Sequence, residues 1–184
     1  VYKRQVVNIS LGMYNVDEDR VYASGWSNGC SMSQRLAMES SHIFAAVGCM
    51  AFYLITEPVD SYSPIPVMEV HGFLDNVVLY ESTILSVPFN EALWTNPEAY
   101  DTGAIENIVE WGAHNNCSGG LETYELNALY TIQGYDGCEN DASVRLMTIY
   151  AAQHNPYEKD FEDDTLIGST FIGTQGLVMS SHIV

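Results

Sequence analysis

Val21-Tyr22-Ala23-Ser24-Gly25-Trp26-Ser27-Asn28-Gly29 is the stretch that decides the fold. Its first four residues form a short β-prone run. From Gly29 to Ser40 the residues Met32, Leu36 and Ala37 then recur at helical spacing. A strand, a sharp turn and a helix therefore follow one another, and a G-x-S-x-G occupies the junction. Outward from it, Phe44 to Met50 is a continuous apolar run, as expected of a strand buried on both faces of a parallel sheet. Val67-Met68-Glu69-Val70-His71 is another short strand, stopped by Gly72, and the stretch between them, Glu57 to Pro66, carries three prolines and reads as loop. Ile105, Ile108 and Val109, with Asp101 or Thr102 as cap, predict a helix to about His114. Glu122 to Ile132 and Ser143 to Tyr150 read as strands. The run Asp160, Glu162, Asp163 and Asp164 before Leu166 and Ile167 reads as a helix start, because carboxylates there oppose the positive end of the helix dipole.

Strands separated by helices or long connections imply an α/β fold with a mostly parallel sheet and flanking helices. The 184 residues suffice for one domain with a sizeable core, so residues 1–184 are read as a single unit. Sheets of this type bind ligands at the carboxyl ends of their strands. Chemistry is accordingly expected just after Ser24, Met50, His71 and Tyr150. The irregular stretch from Tyr80 to Tyr100, with Pro88, Phe89, Trp94 and Pro97, is longer than an idle connection and is a candidate substrate-side segment.

Composition removes several classes of partner. Twenty-four acidic residues against 6 basic ones give a net charge of −18, although only 16% of residues are charged. Lys3, Arg4, Arg20, Arg35, Arg145 and Lys159 are scattered singly, whereas phosphate backbones need clustered cations, so nucleic acid and anionic membranes are excluded as partners. The longest apolar stretch, Ile43 to Ile55, is too short to span a bilayer and reads as a buried strand. Cys30, Cys49, Cys117 and Cys138 show no CxxC or Cys/His spacing, so no metal and no cofactor is expected. Their even number in a Lys-poor chain leans toward an oxidising compartment. No signal peptide is visible in this chain.

The G-x-S-x-G stands where a nucleophile elbow needs it. A serine on a strained strand-to-helix turn projects its Oγ above the sheet, and the flanking glycines let strand and helix approach without a Cβ clash. Ser27 is the candidate nucleophile, and the N–H of Asn28, at the start of the helix, is the candidate oxyanion donor. Such a serine needs an imidazole to take its proton and a carboxylate to orient the imidazole, in the chain order Ser, acid, His. Asp75, four residues beyond His71, lies at the correct end of a strand for the acid. After it stand His114, on the helix before Cys117, His182, near the end, and His154, four residues past Tyr150. Position favours His154. His71, beside the acid loop, reads as a hydrogen-bonded structural histidine.

Residues Asn15 to Gly29, followed by Phe44-Ala45-Ala46-Val47, His71-Gly72, Asp75-Asn76-Val77-Val78, and Trp111 through Asn116-Cys117 to Cys138, resemble the polyhydroxybutyrate depolymerase and feruloyl esterase family of secreted α/β-hydrolases. The resemblance implies an α/β-hydrolase fold, a disulfide between Cys117 and Cys138, and secretion; a second bridge between Cys30 and Cys49 is a further hypothesis. It implies a serine carboxylic-ester hydrolase with a Ser27-His154-Asp75 triad, acting on polyhydroxyalkanoate polyester or on feruloyl and acetyl esters of cell-wall polysaccharide. Trp26 and Trp94 are candidate substrate contacts. Ala151-Ala152-Gln153 and Asn155-Pro156 flank His154 where the family has a glycine-rich stretch and a Trp-Pro pair. The family's early strands and second oxyanion donor lie well upstream of its elbow. The chain is therefore expected to be the carboxyl-terminal part of such a domain. Two other readings stay open at this point: a peptidase of the same fold, and a non-catalytic fragment that keeps the elbow.

Overall fold

Six strands and three α-helices form the frame of the computed structural model, which describes residues 2–81 and 103–157. The elements are α1 (Tyr2–Met13), β1 (Tyr22–Trp26), α2 (Asn28–Ser40), β2 (Ala46–Met50), β3 (Val67–Gly72), α3 (Ala104–His114), β4 (Glu122–Leu126), β5 (Tyr130–Tyr135) and β6 (Val144–Ile149). All strands lie in one sheet of order β1-β2-β3-β6-β5-β4. The pairs β1/β2, β2/β3 and β3/β6 are parallel, whereas β5/β6 and β4/β5 are antiparallel. This is the mostly parallel α/β sheet expected from the alternation of elements.

Strand β3 is buried along its whole length, so its alternate side chains feed two cores. Val67 joins Val47, Cys49, Val144 and Leu146 beneath Ala37 and Met38 of α2 and Ile108 and Trp111 of α3. Met68 and Val70 join Ile132, Met147, Ile149, Ala152 and Tyr157 on the other face. The indole N–H of Trp111 donates to Gln34 Oε1 at 2.7 Å, which ties α3 to α2 with both polar groups buried.

Two disulfides fasten this frame. Cys117 is bonded to Cys138, joining the end of α3 to the segment ahead of β6, and Cys30 at the start of α2 is bonded to Cys49 in β2.

Several expectations need correction. Glu122 to Ile132 is not one strand: it is the β4/β5 hairpin, turned at Asn127, whose Oδ1 accepts the N–H groups of Leu129 and Tyr130. An Asn folding back on the next backbone amides is a turn signal that outweighs a β-prone run. The strand within Ile43 to Ile55 is only Ala46–Met50; Ala51, Phe52, Tyr53 and Leu54 are buried in irregular backbone. Helix α1 was not anticipated. Val6, Ile9 and Met13 on it are more than half exposed, so it lacks the one-sided burial that makes a helix legible. The Tyr80 to Tyr100 segment with Phe89 and Trp94, the caps Asp101 and Thr102, the acidic run from Asp160, and His182 lie outside the described residues, apart from Tyr80 and Glu81.

Candidate active site

The sharp turn at residue 27 joins β1 directly to α2. Ser27 has φ 53° and ψ −125°, a backbone conformation costing on the order of 1–3 kcal/mol for a residue with a Cβ. Its N–H donates to the carbonyl of Met50 at 2.8 Å, and its own carbonyl accepts the N–H of Cys30 at 2.8 Å. Strand and helix pinned on either side hold the strained residue in place. The glycines flanking it are not equivalent. A Cβ on Gly25 would stand 2.3 Å from the backbone carbon and oxygen of Gly29, whereas a Cβ on Gly29 would meet nothing within 4 Å. Gly25 alone is needed for the close approach.

Asp75 lies just beyond β3 and His154 just beyond β6, on loops that lean on each other. Leu74 N–H donates to Ala152 O at 3.0 Å, Phe73 N–H to Ile149 O at 2.9 Å, and Gly72 N–H to the hydroxyl of Tyr157 at 2.7 Å. A Cβ on Gly72 would come within 2.4 Å of Ala152 O, so the two loops pack backbone against backbone. Asp75 Oδ1 accepts the N–H groups of Val77 and Val78 at 2.9 and 2.8 Å.

These loops bring three of the sequence candidates together. His154 Nε2 is 2.8 Å from Ser27 Oγ, and His154 Nδ1 is 2.8 Å from Asp75 Oδ2. The carboxylate of Asp75 has no exposed surface, while the imidazole of His154 keeps 10% of its own. The ring of Trp26 lies 5.2 Å from that of His154, and the residue as a whole is 38% exposed, so an indole borders the imidazole. Asn28 is the first residue of α2, which makes its N–H one of the amides a helix leaves without an internal partner, at the positive end of its dipole.

Behind Asp75 lies a polar network that sequence reasoning found only in part. His71 is buried and hydrogen-bonded, as expected; its Nδ1 is 2.7 Å from Glu69 Oε1 and its Nε2 is 2.8 Å from Val78 O. Glu69 Oε2 accepts from Asn107 Nδ2 of α3 at 2.5 Å, and Asn107 Oδ1 accepts the N–H of Leu54 at 2.8 Å. Burial pushes the Glu69 carboxyl up, against the opposing pull of His71. Burial pulls His71 down, but the hydrogen bond and charge of Glu69 outweigh it and leave the imidazole above its ordinary value. Val78 O can only accept, so Nε2 carries a hydrogen, and the 2.7 Å contact between Nδ1 and Glu69 Oε1 requires a further proton within the pair. The available signal was Glu69 itself: a carboxylate inside an apolar strand is almost never buried without a partner.

His114 stands apart from this site. His114 ends α3, 3.6 Å from Glu110 and 3.8 Å from Glu57. Among the described residues these three are the group able to hold a metal ion, with their ligand atoms within 4.8 Å of one another, and Glu57 is exposed. Also among the described residues, no helix is long and apolar enough to cross a membrane.

Comparison with known proteins shows what the chain resembles. No protein-family model matches it. Over 144 residues it is 30% identical to feruloyl esterase B of Piromyces equi, a match covering 76% of this chain and 25% of that protein. Over 76 residues it is 40% identical to a protein of Nocardia uniformis subsp. tsuyamanensis named as an esterase, NocK, covering 40% of this chain and 22% of the other. The chain thus spans about a quarter of the length of the curated relatives it matches. In structure it is similar to acetyl xylan esterase from Aspergillus awamori, with a TM-score of 0.54 and 15% identity over 95% of this chain and 66% of that one. That likeness shows the fold, which is of the α/β-hydrolase type.

Proposed function

We propose that this chain carries the catalytic centre of a serine carboxylic-ester hydrolase, with Ser27 as nucleophile, His154 as general base and acid, Asp75 as orienting carboxylate and the Asn28 N–H as one oxyanion donor. The observation that carries the reading is the pair of 2.8 Å contacts from His154, Nε2 to Ser27 Oγ and Nδ1 to Asp75 Oδ2, at a serine held in a strained strand-to-helix turn. In the first half-reaction the Ser27 Oγ attacks the ester carbonyl as its proton passes to His154 Nε2. The resulting oxyanion lies by the α2 N-terminus. Its collapse breaks the ester C–O bond, and the alcohol leaves with the proton from His154. Water, deprotonated by His154, then attacks the acyl-enzyme; the carboxylic acid leaves and Ser27 recovers its proton.

Feruloyl esters of cell-wall polysaccharide are the substrate class favoured by the likeness to feruloyl esterase B. Trp26, an exposed residue beside the nucleophile, supports an aromatic acyl group. Acetyl esters and polyhydroxyalkanoate polyesters are the competing acyl classes. The two disulfides support an oxidising, extracellular setting.

The test is labelling of the folded chain with a fluorophosphonate, alongside methyl ferulate, p-nitrophenyl acetate and a peptide anilide. Labelling that disappears in Ser27→Ala, with turnover of esters over the anilide, is the expected result. Absent labelling of a folded sample sinks the triad, and preferential cleavage of the anilide establishes a peptidase instead.

A further inference from the structure

We propose that Glu69 and His71 are positioning residues for the triad: a buried pair that anchors the turn holding Asp75 and sets a positive charge behind its carboxylate. This rests on the triad reading above. Both side chains are fully buried, and neither touches Ser27 or His154 in any contact described, so the proposed mechanism leaves them without a task.

The anchoring runs through one peptide unit. Val78 O faces His71 Nε2 at 2.8 Å while Val78 N–H donates to Asp75 Oδ1 at 2.8 Å. A carbonyl only accepts, so His71 Nε2 carries a hydrogen. The other ring nitrogen shares a proton with Glu69 at 2.7 Å, and Glu69 is in turn fixed by Asn107 of α3. Helix α3 is thereby linked to the acid loop through Glu69, His71 and Val78.

The charge acts at short range. His71 Nε2 is 3.6 Å from Asp75 Oδ2, the same oxygen that faces His154. With the shared proton on the imidazole, the positive end of the pair faces the triad and the negative end lies farther back. The other groups around His71 do not compensate. The rings of Tyr53 and Tyr80 pack against it at 5.6 and 5.8 Å, and burial pushes both phenols up, so they stay uncharged. Glu106 of α3 acts on these two phenols through space, as does Glu69. Tyr157, whose hydroxyl holds Gly72 N–H, is likewise pushed up by burial.

Glu69→Gln removes the charge and keeps the bonds: the amide accepts from Asn107 and donates to Nδ1 of a neutral His71, whose Nε2–H stays on Val78. Without the positive end of the pair, protonation of His154 is opposed less. The acid limb of kcat/KM is expected to move to higher pH by about half to one unit, a loss of about three- to tenfold at a fixed pH on that limb. His71→Gln removes the anchor as well. Its kcat is expected to fall about 10–100-fold at unchanged KM, because a carboxylate displaced by up to about 1 Å no longer aims the imidazole.

Wild type, Ser27→Ala, Glu69→Gln and His71→Gln are assayed together on p-nitrophenyl acetate. Turnover lost in Ser27→Ala together with the two expected changes supports the inference. Wild-type profiles in Glu69→Gln and His71→Gln, with Ser27→Ala inactive, overturn it and leave the triad standing; an inactive, unlabelled wild type overturns both. If either variant fails to fold, nitrogen-15 NMR of histidine in the wild-type chain decides at neutral pH. Both ring nitrogens of His71 are expected to be protonated, and a bare Nδ1 overturns the inference.

Discussion

Replacing Gly25 with alanine probes the elbow without touching a reacting group. The new Cβ would lie 2.3 Å from the carbonyl carbon and oxygen of Gly29, both backbone atoms that no rotamer change can move. Ordinary contact begins near 3.4 Å, so strand β1 and helix α2 must part by about 1 Å. Ser27 and Asn28 lie on the segment that must give. Overpacking of this kind costs about 1–3 kcal/mol. A displacement of about 1 Å at a reacting group can cost about 100-fold in rate. Gly29→Ala supplies the control, because its Cβ meets nothing within 4 Å and alanine is the better helix former. The assay is the second-order rate of fluorophosphonate labelling, with a thermal melt on the same samples. Gly25→Ala is expected to label about 100-fold more slowly and to melt several degrees lower, and Gly29→Ala to stay within a few-fold of wild type. Equal rates for the two variants would refute the close-approach explanation of this motif.

Three further outcomes follow from the charges and crosslinks. The disulfides close loops with sequence separations of 19 and 21, each worth about 3 kcal/mol by loop-closure entropy, so full reduction should lower Tm by about 10–20 °C; an unchanged melt refutes their contribution. Asp136 is held below the usual carboxylate range by hydrogen bonds from Arg145 and Tyr124. Its stabilising effect is therefore present above the unfolded carboxyl value and is lost as pH falls through the depressed folded one. Because Asp136 is 58% exposed, Asp136→Asn should cost no more than about 1 kcal/mol at pH 6, with the gap to wild type closing as pH approaches 3; a gap that widens in acid contradicts the assignment. With a net charge of −18, Tm should rise between roughly 0.05 and 1 M NaCl as screening shortens the reach of like-charge repulsion, and a flat response counts against it.

What could be read from the sequence shares one property: the controlling interactions are local. The apolar run 44 to 50, the helical spacing of Met32, Leu36 and Ala37, and the G-x-S-x-G at their junction each act within a few residues, and β1, α2 and β2 formed close to the expected places. The hairpin at Asn127 was missed because its turn is made by a side chain capping its own backbone inside a β-prone run. Unequal roles for Gly25 and Gly29 were beyond reach for a different reason. Which glycine meets backbone depends on the direction each Cβ takes across the turn, and the motif is symmetric in letters only. Glu69 was legible as an anomaly, but its partners Asn107 and His71 come from an element 38 residues away and from the next residue on the same face of the strand.

Strand register explains why the three site residues sit at such different distances past their strands. Trp26, Met50, Val70 and Met147 form one row across β1, β2, β3 and β6. Relative to that row Ser27 is one residue further along, Asp75 five and His154 seven. Neighbouring strands are about 4.8 Å apart, so β3 lies roughly 10 Å from β1 and β6 roughly 14 Å. Ser27, fixed at the very turn, cannot reach outward. The imidazole must therefore travel back over β3 to meet it, and seven residues span up to about 23 Å when extended, enough for that return. Asp75 starts from the strand in between and needs fewer residues to meet His154 on its way. The crossing is what forces Gly72 against Ala152, since the returning loop passes directly over the end of β3. A parallel sheet with the histidine on a strand beyond the acid thus requires a long histidine loop, a shorter acid loop and no loop at the serine. His114, by contrast, ends a helix packed on one face of the sheet, and no such loop carries it past the end of a strand.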